Sequence, residues 1–361
     1  MCSQRICRAP RVWGMIVLAL CISVACSVPS RSPTVDTGPS VSTGATPSLV
    51  KRDVRLAYVS TAISFSPLWA AQEYGLLEQY GLHSDDLFYI NGGPAIMQAL
   101  VAGDLDAAYS AFSPVVAAIM SGASAKIVAG FSNGFVHQLF TREGTGVRSA
   151  QDMKGKRAGV SRIGAESQVV VQIWARVNGL RDDDITYVNA GGAAERLAAL
   201  DAGSVDLVPL DPPEVVLARK RGYLLVADMT QQPVPWQSAG LTVRENTLQT
   251  DPAMAKALVQ AVSEGAYLLR SDPERFQAVV GKYTKIEDPE AIAIAYTSWK
   301  RAVTPHGRPD PAGVAMVQQV IDQSLPGTAQ EPVTRFVDYT VLELLEREGF
   351  FDQLERQYPP S

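Results

Sequence analysis

Two stretches of this chain, offset by about 100 residues, carry the same blocks in the same order, and that repeat limits the fold more than any other feature. In the first copy, LAYVS (56–60) precedes a helical segment closed by Gly81-Leu82. DDLFYI (85–90), an Asn91-Gly92-Gly93 loop, a helix ending ALVAGDLDAA (99–108) and SPVVAAIMSG (113–122) follow. In the second copy, RAGVS (157–161) precedes a segment closed by Gly179-Leu180. Then come DDITYV (183–188), an Asn189-to-Gly192 loop, a helix ending ALDAGSVDLV (199–208) and PEVVLARKRG (213–222). The last blocks align at an offset of 100 without a gap: Ala102-Gly103 on Ala202-Gly203, Asp106 on Asp206, Val115-Val116 on Val215-Val216.

Each copy reads as strand, helix, strand, helix, strand. Short apolar runs such as Leu56–Val59 and Leu87–Ile90 suit buried parallel strands, and a glycine closing a helix supplies the left-handed residue that ends it. Such units wind right-handed. Two copies predict an α/β chain of two lobes, each a mainly parallel sheet with flanking helices, and a cleft beyond the carboxyl ends of the strands. HQLFTREG (137–144) and AGLTVREN (239–246) are strand-like, resemble each other, and follow the last helix of their copies, so they are expected to be the two crossover strands. The expected limits are 53–141 and 240–361 for the first lobe and 142–239 for the second. From the capped DPAMAKALVQAVSEGAYLLR (251–270) onwards the chain is mainly helical and is expected to pack on the first lobe.

The ends narrow the class. Arg5, Arg8 and Arg11 precede a nearly continuous apolar run, Val12–Ala25, whose 14 residues are too few to span a bilayer. Residues 1–26 therefore read as a signal peptide. It ends SVAC, similar to the lipobox of bacterial lipoproteins, which makes Cys26 the expected lipidation site. Residues 27–52 are rich in Ser, Thr, Pro and Gly and read as a flexible tether. This address lies in the bacterial cell envelope, facing the periplasm or the exterior. All four cysteines (Cys2, Cys7, Cys21, Cys26) fall in the leader, which excludes disulfides, thiolate catalysis and cysteine-held metals from the body. Losing the leader's three arginines takes the net charge from −5 to −8, and an acidic body without a basic run argues against nucleic acid.

The strand ends nominate site residues. After the first copy's strands come Ser60, Thr61, Ser64 and Phe65, then Gly92 and Gly93, then Ser110, Phe112 and Ser113, with Asn133 before the first crossover. In the second copy the junction GKRAGVSRIGAES (155–167) offers Ser161, Arg162, Gly164 and Glu166, and free N–H groups there would suit an anion. Asp211 and Trp236 complete the set. Each has a structural alternative: a helix cap for Ser64 or Ser66, turn geometry for the glycines, packing for Trp236. Arg162 would pair an anionic ligand. Glu166 and Asp211 would receive an amino or ring-nitrogen group, or serve as helix-start acids that favour the dipole. The mixture leaves the ligand's charge open.

SFSPLWAAQEYGLLEQYGL (64–82), ALVAGDLDAAYSAFSPVVAA (99–118), SAQDMKGKRAGV (149–160) and the helix near DPAMAKALVQAVSEGAYLL together resemble the substrate-binding lipoproteins of ABC importers. The branch is that of the nitrate, sulfonate, taurine and thiamine-precursor binding proteins, and the likeness runs over roughly residues 54–280. The resemblance implies the type II periplasmic binding-protein fold, a monomer without a cofactor, and hinge closure on a small solute, either an anion of sulfonate type or a pyrimidine-like molecule. It also implies a permease in the inner membrane as partner. Sensing without transport is the alternative use of such a module. For an enzyme the sequence offers little: His83, His137 and His306 have no paired metal spacing, and GxSxG and GxxxxGK[ST] are missing. A pyrimidine synthase-like activity would need a cysteine-rich motif, and a chorismate dehydratase-like one fits poorly with a lipoprotein leader.

Overall fold

The computed structural model describes residues 52–212, 214–232, 234–324 and 330–359. The signal peptide, Cys26 and the tether up to residue 51 lie outside the described residues. In the first lobe five strands run in the order Phe88–Tyr89, Leu56–Tyr58, Ala107–Ala111, Gln237–Arg244, Ala125–Asn133. The first three are parallel, and Gln237–Arg244 lies antiparallel to both neighbours, with Leu241 opposite Tyr109 on one side and Ala129 on the other.

The second lobe repeats this plan. Thr186–Asn189 pairs in parallel with Arg157–Val160, and Ala158 bridges to Leu207 just before Val208–Leu210. Val208–Leu210 and Leu224–Asp228 then flank Gln138–Thr141, antiparallel on both sides. Each sheet thus receives, as its fourth strand, a segment arriving from the other half of the chain. Among the described residues Gln138–Thr141 pairs only in the second sheet and Gln237–Arg244 only in the first.

The repeat extends to individual atoms. Arg55 binds Asp106 with its backbone N–H (2.8 Å), Nε (3.2 Å) and Nη2 (3.1 Å), and its Nη2 also reaches the Gly103 carbonyl (2.9 Å). Arg157 does the same to Asp206 (2.9, 3.1 and 3.1 Å) and Gly203 (3.0 Å). Gly103 and Gly203 both take positive φ, 87° and 70°, which only glycine adopts freely, and so turn the chain from helix to strand. These forks are half-exposed and add little stability, but they fix the strand register at the base of each lobe.

Two expectations change. Phe88 and Tyr89 form an edge strand and are 50% and 43% exposed, so that strand is not buried. The C-terminal helices pack mainly on the first lobe: Gly265 of Pro252–Ser271 lets the Pro67 carbonyl approach so closely that a Cβ would stand 2.4 Å from it. Helix Pro289–Ala302, however, also reaches the second lobe, where Lys220 binds Asp288 (2.6 Å) and Glu290 (2.8 Å) just before and within its first turn.

Phe112 is only 1% exposed, its ring seated against two glycines of adjacent strands. A Cβ at Gly130 would stand 2.9 Å from the Phe112 ring, and one at Gly240 would stand 2.9 Å from it and 2.1 Å from the Ala129 carbonyl oxygen. The backbone contact cannot be relieved by a rotamer change. Gly240→Ala should therefore destabilise the protein by about 3 kcal/mol or more, measured by denaturant unfolding. A change below about 0.5 kcal/mol would show that the sheet yields there.

Candidate ligand site between the lobes

The matched strand ends converge on one cavity, a space of about 470 Å³ that includes its opening to solvent. The first lobe supplies Val59, Ser60, Ala62, Ser64, Phe65, Gly92, Gly93, Ala111 and Pro114. Val136 and His137 come from the first crossing, and the second lobe adds Ser161, Ala165, Glu166, Ser167, Arg196 and Asp211. Eight of these seventeen residues are polar or charged, so the walls mix hydroxyls, carboxylates, a guanidinium and an imidazole with apolar surface, and suit a polar solute.

Eight of the sequence candidates line it: Ser60, Ser64, Phe65, Gly92, Gly93, Ser161, Glu166 and Asp211. Ser60 Oγ accepts from the Ala62 N–H (3.0 Å), and Ser161 shares a hydroxyl bond with Ser167 (2.9 Å). Glu166 Oε1 accepts from Trp236 Nε1 (2.8 Å) and Ser238 Oγ (2.9 Å). Asp211, 1% exposed, pairs with Arg196 Nη2 (3.2 Å), while Arg196 also donates to the carbonyls of Pro209 (2.8 Å) and Gly191 (3.2 Å).

The other eight stand outside its walls, for separate reasons. Thr61 is not part of the wall that its neighbours Ser60 and Ala62 form. The strand Ala107–Ala111 runs directly into the helix Phe112–Met120, so no loop forms there. Ser110 and Ser113 are consequently 1% exposed and Phe112 is core. Asn133 borders a neighbouring cavity on the far side of Ser64 and Val136. Arg162 is exposed and lies across Gly92, where a Cβ would stand 2.7 Å from its Cδ. Gly164 faces Pro94 in the same way at 3.3 Å. Trp236 stacks on Phe135 (centroids 4.8 Å apart) and is 1% exposed.

Two further readings meet their limit here. Neither Ser64 nor Ser66 caps a helix by its side chain, and Ser66 Oγ is buried without a partner among the described residues. Four of the five N–H groups expected to hold an anion at the 161–165 junction are already taken. Ser161 donates to Ser167 Oγ (2.9 Å), Ile163 to Asn189 Oδ1 (2.9 Å), Gly164 to Gln168 Oε1 (2.7 Å) and Ala165 to the Arg162 carbonyl (3.1 Å).

The residues that sequence reasoning missed are Arg196, His137, Ser167 and Glu214. A signal existed for two of them. At the constant offset of 100, Arg196 falls on Ile96, Asp211 on Ala111 and Glu214 on Pro114. Ile96 is fully buried, so the second copy places charges at positions that its twin keeps apolar. Burial pushes the Glu166 carboxyl up to about 7, against the pull of its two hydrogen bonds and helped by Asp211. Burial also pushes the Glu214 carboxyl up, again helped by Asp211, and holds the His137 imidazole down at about 4 despite Asp211 nearby. His137 is therefore neutral at pH 7, and Arg196 with Asp211 forms a neutral pair. Among the described residues no group of three His, Cys, Asp or Glu is placed to hold a metal ion, and no helix is long and apolar enough to cross a membrane.

Glu214 gives a test of this electrostatic reading. Both its oxygens are buried without partners among the described residues. Its raised pKa means that the folded protein holds a proton which the unfolded chain releases above its ordinary value of 4.5. Stability therefore falls as pH rises through that window. Glu214→Gln should melt at the same temperature as the parent at pH 4 and several degrees higher at pH 8. Equal melting at both pH values would contradict a buried, unpaired carboxyl.

A family model described as NMT1/THI5 like matches residues 62–276. No curated protein sequence matches the chain. Among solved structures, a Bordetella bronchiseptica RB50 protein is similar at 19% identity, covering 86% of this chain and 99% of its own, with a TM-score of 0.75. The alkanesulfonate-binding protein SsuA of Xanthomonas axonopodis pv. citri, bound to MOPS, is similar at 19% identity (82% and 100% covered, TM-score 0.67). The periplasmic aliphatic sulphonate binding protein SsuA of Escherichia coli is similar at 21% identity (79% and 92% covered, TM-score 0.62). At these identities the likeness is one of fold: two lobes of the periplasmic binding-protein type.

Proposed function

The chain belongs to the NMT1/THI5-like family, and from that premise we propose that it is the extracytoplasmic solute-binding component of an ABC importer. The observation that carries this reading is the cavity itself, walled by matched strand ends of two lobes that exchange strands. Capture in such a cavity needs no bond-making. A solute that binds the closed arrangement better than the open one shifts the population, and the closed form is what a permease would recognise. The sulfonate-binding proteins of the same fold favour a small polar solute, and lipidation at Cys26 would hold the protein at the membrane beside its permease.

The cavity's chemistry refines the solute. Arg196 is committed to Asp211 and two carbonyls, His137 is neutral, and the N–H groups of Ser161, Ile163, Gly164 and Ala165 before the second lobe's helix are occupied. An oxyanion would thus rely on serine hydroxyls, on the first N–H groups of helix Glu166–Val177 and on Arg196 partly released from Asp211. A neutral or protonatable nitrogen compound would instead meet Glu166 and Asp211 as acceptors. We place Ser60, Ser64, Ser161, Ser167, Glu166, Asp211 and Arg196 as the polar contacts, with Phe65 as an apolar wall.

Thermal-shift screening decides between these classes. Ethanesulfonate, taurine, nitrate, acetate and 4-aminopyrimidine are suitable probes. A solute at 100 times its Kd adds about 2.7 kcal/mol, which for a body of this size is a rise of about 5 °C. At least one probe class should produce it. No stabilisation by any small solute, together with turnover of one, would overturn the binding-protein reading.

A further inference from the structure

Glu166 occupies a position that the capture reading alone does not use. It is the first residue of helix Glu166–Val177 in the second lobe, and its Oε1 accepts both Trp236 Nε1 (2.8 Å) and Ser238 Oγ (2.9 Å). Those donors flank Gln237, where the crossing strand Gln237–Arg244 enters the first lobe's sheet. They are fixed there. Gln237 donates to the Ser132 carbonyl (2.9 Å) and accepts from the Asp310 N–H (2.9 Å), and Trp236 stacks on Phe135 of the other crossing. Trp236 and Ser238 are each 1% exposed. One carboxyl oxygen on the second lobe is thus fastened to a rigid corner of the first. The other oxygen, Oε2, has no hydrogen-bond partner among the described residues, on a side chain that lines the solute cavity.

We infer that Glu166 is a proton-linked latch: ionised, it ties the second lobe's helix to the crossing strand through Oε1, while Oε2 faces the solute. One proton then affects both the grip between the lobes and the charge that a solute meets. Carboxylates hold N–H and O–H donors more strongly than carboxylic acids do, so the latch is tighter when ionised. The charged and titratable groups that share the cavity with it are Asp211 at the end of strand Val208–Leu210, Arg196 on helix Ala193–Asp201 and His137 on the first crossing, with Glu214 on helix Glu214–Lys220 behind Asp211 and Arg196. Arg196 and Asp211 pair with each other, and His137 stays neutral above its lowered pKa, so Glu166 has no cation of its own. Burial raises its carboxyl to about 7, so a small change of pH about neutrality changes its charge.

The sign follows from linkage. A solute presenting an oxyanion to Oε2 needs the carboxyl protonated, so its affinity should fall about tenfold per pH unit above 7. A solute presenting an N–H donor or a cation prefers the carboxylate, and its affinity should fall below pH 7. The solute half of the inference rests on the capture reading, whereas the latch half rests on geometry alone.

The test follows the indole Nε1–H of Trp236 by NMR in the ¹⁵N-tryptophan-labelled chain from pH 5 to 9, assigned by Trp236→Phe. Glu166→Gln keeps an acceptor oxygen of the same shape and removes the titration. The Trp236 signal should shift with a midpoint near 7 in the parent and stay flat in Glu166→Gln, with Trp69, Trp174 and Trp299 flat in both. A flat parent signal, or an unchanged titration in Glu166→Gln, overturns the latch. Calorimetric titration with ethanesulfonate and with 4-aminopyrimidine at pH 6 and pH 8 tests the solute half. Either probe should change affinity about tenfold or more between the two pH values in the parent and less than twofold in Glu166→Gln. Equal affinity at both pH values in the parent overturns the coupling. If neither probe binds and no other solute stabilises the protein, the capture reading fails, and the indole titration still decides the latch.

Discussion

The structure depends on an exchange of strands. Gln138–Thr141 leaves the first half of the chain to complete the second sheet, and Gln237–Arg244 returns to complete the first. Each becomes the fourth strand of its host, hydrogen-bonded on both sides, so neither lobe has a complete sheet without a segment from the other half. That arrangement fixes the chain at two crossings while leaving the lobe faces opposite each other with a cavity between them. Motion concentrated at the crossings is the kind of hinge that lets a few backbone torsions open and close a site. His137, Trp236 and Ser238 sit at or beside those crossings, and so chemistry at the cavity and geometry at the hinge share residues.

Within that frame the two lobes are unequal partners. They share strand order, helix ends and the Arg–Asp forks at their bases, down to bond lengths within about 0.1 Å. They differ at and behind the cavity wall, where Ile96, Ala111 and Pro114 are answered by Arg196, Asp211 and Glu214. Burying such charges stabilises little, because desolvation offsets much of the attraction, whereas removing one partner of a buried pair typically costs about 3–5 kcal/mol. Recognition of a solute, as proposed above, accounts for these charges better than stability does. The second lobe carries the ionic part of the site, and the first contributes hydroxyls, glycine backbone and an aromatic wall.

Much of this was legible in the sequence because the repeat holds a constant offset. The strand ends that it marks lead directly to Ser60, Gly92, Gly93, Ser161 and Asp211 at the cavity. The exchanged strands were visible as HQLFTREG and AGLTVREN, two similar strand-like segments that follow matching helices. What was not legible depends on side-chain direction and on pairing across the chain. Glu195-Arg196 on a short amphipathic helix looks like a solvated pair, and only its alignment with buried Ile96 reveals an inward arginine. Arg162 sits two residues past a strand end yet swings over Gly92, because the loop's own N–H groups bond inward to Ser167, Asn189 and Gln168. Ser110 and Ser113 looked like loop residues because Ser-Ala-Phe-Ser-Pro resembles a turn, but the strand passes straight into a helix.

Solute-driven closure of the two lobes can be measured without knowing the solute's natural identity. The cysteines all lie in residues 1–26, so spin labels can be placed singly on each lobe of the leader-free body, at Val101 of the first and Val177 of the second, both exposed. Distances between the labels, measured by electron double resonance with and without a solute that raises the melting temperature, report the interlobe geometry. The account predicts a broader, longer distribution without solute and a single shorter one with it. An unchanged distribution at saturating solute would contradict capture by closure between the lobes.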